Sequence, residues 1–287
     1  MGYTKEPDLN NKLLSVDDYL ALPVEAGDWR ISYGSDPSQF GDLYLPRGKG
    51  PHPLIVLLHG GCWRATFGLA QLGQMARALA GTGAAVWNLE YRRVGDGGGW
   101  PNTFWDVADG ADHLRAMADE YDLDLNHVIA AGHSAGGHLA LWLAGRRRSP
   151  GAGRIRHANP MPIHGVVSLA GIPDLGRAAA ENICRGMVEE LMGGAPGEAP
   201  DRYSEGSPAQ SLPLGLPHIH INGAQDDIVP LAYVDEFVKR ALRAGDRAEL
   251  MTVDSAGHFE IVVADLPVWA TVRAAFGDLF HSLGVRT

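Results

Sequence analysis

A serine at position 134 forms the centre of Gly132-His133-Ser134-Ala135-Gly136, between an apolar run and a helical pattern. Residues 127–131 predict a buried strand, and residues 139–144 predict a helix. A serine on a sharp strand-to-helix turn points its hydroxyl out of the sheet, and glycines on either side leave room for the tight backbone crossing. This placement is suited to a nucleophile that attacks a carbonyl carbon and becomes acylated.

A glycine-rich segment, His59-Gly60-Gly61-Cys62-Trp63, directly follows an earlier apolar strand at residues 53–58. Small residues at the end of a strand let backbone N–H groups approach a negatively charged oxygen. We therefore expect the N–H groups of Gly61, Cys62 and Ala135 to form an oxyanion hole, with His59 bracing the loop. An ordinary strand-to-helix turn is the alternative interpretation.

An acid and a base follow in the order that acyl transfer needs. Asp226 comes after a predicted strand at residues 216–222, and His258 after one at residues 249–253. The carboxyl ends of parallel strands lie along one edge of a sheet, so both side chains are expected to meet Ser134 there. Histidine accepts and returns a proton near neutral pH, and a carboxylate fixes its tautomer. Asp227 is an alternative acid, and His138, four residues after the serine, is an alternative base.

With these motifs the chain resembles the α/β-hydrolase serine esterases. Within them it is similar to the group of kynurenine formamidases and small-ester hydrolases that carry His-Gly-Gly-x-Trp. The matching segments run from about Gly41 to the C-terminus and are His59–Trp63, Gly132–His138, Gly223-x-x-Asp226-x-x-Val229-Pro230 and Gly257-His258-Phe259. The third segment favours Asp226 over Asp227. Cys62 departs from the tyrosine that is usual in the formamidases.

The resemblance implies hydrolysis of carboxylic esters of small or aryl substrates through an acyl-enzyme on Ser134. An arylformamidase-type amidase, acting on substrates like N-formylkynurenine, is the alternative enzyme. A non-catalytic ligand receptor on the same fold is the alternative of another class.

Two residues beside the glycine-rich turns, Trp63 and His133, are expected to contact the substrate. The aromatic residues around Trp63 are equally consistent with packing of the interior. His218 and His220 share one strand face, as metal ligands do, but no carboxylate or cysteine lies at ligand spacing within that strand. We therefore expect a structural pair, and neither a metal nor a cofactor.

The alternation of apolar strands and helical patterns predicts an α/β-hydrolase fold, a doubly wound and mostly parallel sheet. Extended segments at residues 28–33 and 39–45 predict antiparallel N-terminal strands. One domain is expected over residues 1–287, with a small cap at residues 171–213 that contains a helix over residues 178–192. A closed (β/α)8 barrel is the alternative architecture, and a surface connection is the alternative to the cap.

The composition restricts the partners of this chain. A formal net charge of -10 disfavours nucleic-acid binding, and we expect the basic run at residues 146–148 to be a helix C-terminus. No apolar stretch approaches the roughly 20 residues of a membrane span, and residues 1–7 lack the apolar core of a signal peptide. The sequence has only two cysteines, Cys62 and Cys184, so no disulfide framework is expected. We therefore predict a cytoplasmic protein whose partner is a small-molecule ester or amide. Its oligomeric state is not predicted.

Overall fold

The computed structural model describes residues 13–147, 155 and 159–285. Residues 1–7, for which we predict no signal peptide, and Arg148 of the basic run lie outside these ranges.

Eight strands form one mixed sheet in the order β1-β2-β4-β3-β5-β6-β7-β8. The strands are β1 (Trp29–Ser32), β2 (Phe40–Tyr44), β3 (His52–Leu58), β4 (Ala85–Leu89), β5 (Leu123–His133), β6 (Gly165–Leu169), β7 (His218–Gly223) and β8 (Ala248–Val253). Strand β2 pairs antiparallel with β1 and β4, and the remaining pairs are parallel. The predicted α/β-hydrolase sheet with antiparallel N-terminal strands is confirmed. Because β1 and β8 are open edges, the sheet is not a barrel.

Helices flank both faces of the sheet. The α-helices are α1 (Val16–Leu20), α2 (Gly73–Ala80), α3 (Asn102–Asp112), α4 (Leu114–Met117), α5 (Ala135–Gly145), α6 (Leu175–Ala180), α7 (Met187–Met192), α8 (Pro200–Gly206), α9 (Leu231–Arg243) and α10 (Trp269–Ser282). Short 3₁₀ turns occur at Leu69–Leu72, Pro208–Gln210 and Glu260–Val262. Within the described ranges, no helix is both long and apolar enough to cross a membrane.

The core consists of two apolar layers, one on each face of the sheet. Alternate residues of β3 enter different layers: Leu54, Val56 and Leu58 pack in one, and Ile55 and Leu57 in the other. The strand is buried on both faces, which explains its continuous apolar sequence. This rigid sheet fixes the strand ends from which the candidate site is built.

The helix predicted over residues 178–192 is interrupted. Helix α6 ends at Ala180 and α7 begins at Met187, and between them Asn182, Cys184 and Arg185 have φ of 55°, 63° and 52°. These angles are incompatible with a right-handed helix. The segment predicted to be a cap, residues 171–213, therefore contains three short helices, α6 to α8, joined by turns. We refer to it below as the cap segment.

The two cysteines, for which no disulfide framework is expected, nevertheless form a disulfide. Cys62 and Cys184, separated by 122 residues in sequence, are joined by a disulfide with a Cα–Cα distance of 5.7 Å. The turn between α6 and α7 folds over the loop after β3 and brings the two sulfurs together. With this bond present, the cysteine count no longer supports a reducing compartment. The cytoplasmic location stays a prediction, and the cysteine count no longer supports it.

Candidate active site

Ser134 occupies the sharp turn between β5 and α5. Its backbone has φ 55° and ψ -119°, a region that costs a non-glycine residue about 1–3 kcal/mol. Its N–H donates to the carbonyl of Leu169 at 2.8 Å. A Cβ on Gly136 would lie 2.0 Å from the Leu58 carbonyl oxygen, and one on Gly132 would lie 2.2 Å from the Gly136 oxygen. Only glycine fits at these two positions, so the turn can form in this sequence.

His258 and Asp226 form a buried pair. The His258 Nδ1–H donates a hydrogen bond to Asp226 Oδ2 at 2.8 Å. The other carboxylate oxygen accepts hydrogen bonds from the N–H groups of Ile228 and Val229, at 2.9 and 2.8 Å. Asp227 is exposed, whereas Asp226 is buried. The geometry therefore pairs the histidine with Asp226, and it leaves Nε2 as the ring nitrogen that is able to accept a proton.

Ser134 and His258 line the same cavity, which has a volume of about 420 Å³. The two described side chains are not hydrogen-bonded to each other. In ligand-free enzymes such bonds are often long and tighten only when substrate binds. The cavity is large enough for a small organic ligand.

The loop after β3 lies on the wall of this cavity. Gly61, Cys62 and Trp63 have consecutive positive φ angles of 100°, 49° and 56°. Among the described residues, the N–H groups of Gly61, Cys62 and Ala135 find no hydrogen-bond acceptor. Unpaired N–H groups beside a nucleophile are the donors that a negatively charged oxygen needs.

His59 braces the same loop from its buried side. Its Nε2 lies 2.8 Å from Glu90 Oε1, its Nδ1–H donates to the Gly60 carbonyl at 2.8 Å, and its ring stacks on Tyr91 at 4.3 Å. Burial alone would raise the pKa of Glu90, but His59 and Arg93 bring that pKa below its ordinary value. A charged carboxylate thus holds the loop through His59.

The two predicted substrate contacts have different positions. His133 lines the cavity, and its Nε2–H donates to the carbonyl of His258 at 2.9 Å. Burial lowers the pKa of His133 well below its ordinary value, and His258 lowers it further, so the ring is a neutral donor. Trp63 is fully buried and lies outside the cavity wall, with its ring edge-on to His138 at 5.4 Å. The substrate contact of Trp63 stays a prediction, and its indole packs in the core without lining this cavity.

His138 is not positioned as a base. Its Nε2–H donates to the Gly206 carbonyl at 2.8 Å, which fixes the last turn of α8 to α5. Burial lowers the pKa of His138 to about 4, although the hydrogen bond to Gly206 opposes this shift. The ring is a neutral structural link between the sheet domain and the cap segment.

We expect the free energy of unfolding to decrease as the pH falls from about 6.5 towards 4. In this range unfolded His138 binds a proton and native His138 does not, so acid favours the unfolded state by up to about 1.4 kcal/mol per pH unit. Urea titrations at several pH values measure this slope. His138→Gln, which retains a donor for the Gly206 carbonyl, should have a smaller slope; equal slopes in both proteins would contradict the low pKa.

The N-terminal helix α1 also borders the cavity, which the sequence interpretation missed. Val16 and Tyr19 line it, the Tyr19 ring stacks on Phe259 at 4.8 Å, and its hydroxyl donates to the Gln71 carbonyl at 3.2 Å. A signal for this helix was present, because Ser15 and Asp18 form a reciprocal capping box.

Glu260 holds the loop that carries His258 and was likewise not predicted. One carboxylate oxygen accepts the N–H of Gly257 at 2.8 Å, and the other accepts the N–H of Leu14. The side chain is buried. Glu260 thus connects the candidate base to the segment that leads into α1.

The histidine pair on β7 forms a side-chain contact away from the cavity. The His218 Nδ1 lies 2.8 Å from the His220 Nε2, and Asp246 lies 3.6 Å from the His218 Nε2. Across the described residues, no group of three or more His, Cys, Asp or Glu side chains is arranged to hold a metal ion.

In sequence the chain is similar to known esterases. The sequence model of one family, BD-FAE, matches residues 41–240. Esterase LipC of Mycobacterium tuberculosis is 28% identical over 246 residues, which cover 80% of this chain and 59% of that protein. The probable isoprenylcysteine alpha-carbonyl methylesterase ICME of Oryza sativa is 23% identical and covers 82% of this chain. The chain spans 59% and 58% of the lengths of these two relatives.

Solved structures share the fold at low sequence identity. A truncated carbohydrate esterase from gut microbiota has a TM-score of 0.77 at 22% identity, covering 92% of this chain and all (100%) of that one. Thermogutta terrifontis Est2 with butyrate bound has a TM-score of 0.72 at 21% identity, covering 90% of this chain and 95% of that one.

Proposed function

Because the chain belongs to the BD-FAE family of α/β-hydrolase esterases, we propose that it is a serine esterase for carboxylic esters of small or aryl substrates. The observation that carries the proposal is the hydrogen bond between His258 Nδ1 and Asp226 Oδ2, on the wall of the cavity that Ser134 also lines. Ser134 and the His258–Asp226 pair follow distant strand ends and lie at the same cavity, which supports a triad in which His258 activates the serine when substrate binds.

In the proposed reaction His258 Nε2 takes the proton of Ser134 as the hydroxyl oxygen attacks the ester carbonyl. The tetrahedral oxyanion accepts one hydrogen bond from the N–H of Ala135 and another from the N–H of Gly61 or Cys62. His258 then gives the proton to the leaving alcohol, and Ser134 carries the acyl group. Water, deprotonated by the same ring, releases the acid and restores the serine. Asp226 stabilises the imidazolium through each transfer.

The cavity supports a compact, partly apolar substrate. Its volume of about 420 Å³ lies in the lower part of the range for small-molecule sites, and its wall includes the apolar side chains Val16, Tyr19, Phe67, Ile183, Ile228 and Phe259. The relatives described above are named esterases, methylesterases and carbohydrate esterases, and one is bound to butyrate. These names favour an ester over the formamide of the alternative enzyme, for which the comparisons give no support.

A panel of p-nitrophenyl esters tests this function. We expect hydrolysis of the acetate and butyrate esters, and stoichiometric labelling of Ser134 by a fluorophosphonate, because both reactions need an activated serine. N-formylkynurenine, an amide, is assayed beside the esters and should be hydrolysed far more slowly than they are. A folded protein that neither hydrolyses any ester nor takes the label is a non-catalytic receptor, and the proposal then fails.

A further inference from the structure

Cys62, a proposed oxyanion donor, is also one half of the disulfide. The bond connects the loop after β3 to the turn between α6 and α7, and both cysteines line the cavity. Cys184 is buried. A covalent link therefore joins the proposed oxyanion hole to the cap segment directly beside the reacting serine.

Cys62 has no backbone hydrogen bond of its own among the described residues, whereas both of its neighbours do. The carbonyls on either side of it are paired: Gly61 accepts the N–H of Arg64 at 3.0 Å, and Trp63 accepts the N–H of Val94 at 2.8 Å. Neither the N–H nor the carbonyl of Cys62 itself forms a hydrogen bond with a described residue. Its side chain alone ties this residue to a neighbouring element.

Cys62 also has an unfavourable backbone conformation. Its φ of 49° lies in the left-handed region, which is unfavourable for a non-glycine residue and persists only where the surroundings impose it. If Cys62 relaxed to negative φ, its N–H would turn to a different direction.

The cap segment gives the bond a fixed anchor. The Cys184 carbonyl accepts the N–H of Met187 at 3.2 Å, and Arg240 from α9 donates to Asp174, the residue before α6, at 2.5 Å. The far end of the disulfide therefore belongs to a hydrogen-bonded turn in a segment that Arg240 ties to α9.

From these observations we infer that Cys184 is a positioning residue: through the disulfide it holds the Cys62 N–H towards the oxyanion. The inference rests on the proposed esterase function.

If the disulfide holds the Cys62 N–H, a dithiol reductant that breaks the bond should lower the activity. One thiolate of the reductant attacks a protein sulfur and releases the other cysteine, which takes a proton. The second thiol of the reductant, as a thiolate, then attacks the reductant sulfur of the mixed disulfide and releases the second cysteine, which also takes a proton. The protein thus gains two electrons and two protons, and the reductant leaves as a cyclic disulfide.

The test uses the full chain and the variants Cys184→Ser, Cys62→Ser and the double variant, with active sites titrated by a fluorophosphonate. In each variant we expect kcat per active site for p-nitrophenyl acetate to fall about 10- to 100-fold with little change in KM, less than the roughly 10²–10³ lost when an oxyanion donor is removed. The double variant should lose no more than either single one, since all three lack the same bond. A boronic acid, which forms a tetrahedral adduct on the serine, should bind more weakly by a similar factor, whereas inhibition by a neutral alcohol, which carries no negatively charged oxygen, should not change.

Reduction of the wild-type protein by dithiothreitol, with two free thiols counted by a chromogenic reagent, should give the same kcat as Cys184→Ser. The variant itself should not respond to dithiothreitol. A merely structural bond would lower the melting temperature and leave kcat per titrated site unchanged, and that result overturns the inference. An oxidised wild-type protein without esterase activity refutes the proposed function instead, so the two failures are distinguishable.

Discussion

Ser134→Ala is expected to lower kcat for p-nitrophenyl acetate by about 10⁶-fold, the loss observed when a triad serine is removed from a hydrolase. The variant lacks the oxygen that accepts the acyl group, so the two-step route through an acyl-enzyme is closed. The residual rate would come from binding and from the oxyanion donors alone. Initial rates with titrated enzyme measure the loss, and mass spectrometry should find no fluorophosphonate adduct.

Ser255→Ala is the matched control for this change. Ser255 is exposed in the loop that precedes His258 and lies outside the cavity wall, so the same deletion there should leave kcat close to the wild-type value. Circular dichroism and the melting temperature establish that both variants are folded. If Ser134→Ala retained the wild-type rate, the nucleophile would have to be another group.

Asp226→Asn should lower kcat by about 10⁴-fold with little change in KM. The carboxylate accepts the Nδ1–H of His258 at 2.8 Å, and an amide at this position cannot stabilise the imidazolium. An amide N–H turned towards Nδ1 would also favour the tautomer with the proton on Nε2, which is then unable to take the serine proton.

The neighbouring residue provides the control for charge. Asp227→Asn removes an equal charge one residue away, but Asp227 is exposed on the cavity wall, whereas the His258 ring is hydrogen-bonded to Asp226. We expect it to lose only a small fraction of the activity lost by Asp226→Asn. Equal losses in the two variants would mean that the general negative potential of the cavity mouth matters, and not the bond to His258.

The fold and the convergence of the candidate residues could be predicted because their signals are local. A serine between glycines at the end of an apolar strand requires a particular turn, and Gly132 and Gly136 are the residues that the close contacts in this turn require. Asp226 and His258 follow their strands directly, and parallel strand ends lie at one edge of the sheet.

The disulfide and the cap segment could not be predicted in the same way. Cys62 and Cys184 are 122 residues apart, and their approach depends on where the helix after β6 stops. That helix stops at non-glycine residues with positive φ, Asn182, Cys184 and Arg185. Asparagine often adopts this conformation, but cysteine and arginine seldom do, so the sequence gives little local signal for the whole turn. Helix α1 spans 5 residues, too few for a hydrophobic period, and only its capping box marked it.

The hydrogen bond from His133 to the carbonyl of His258 has a consequence for how this site tolerates motion. His133 precedes the candidate nucleophile in the chain, so a direct contact links the attacking group to the loop of its proton acceptor. This bond adds a local restraint on their separation to the one that the sheet provides between β5 and β8. Any displacement of the edge strand β8 that moved the His258 loop away from Ser134 would also have to break this hydrogen bond, so the spacing for proton transfer has a second support.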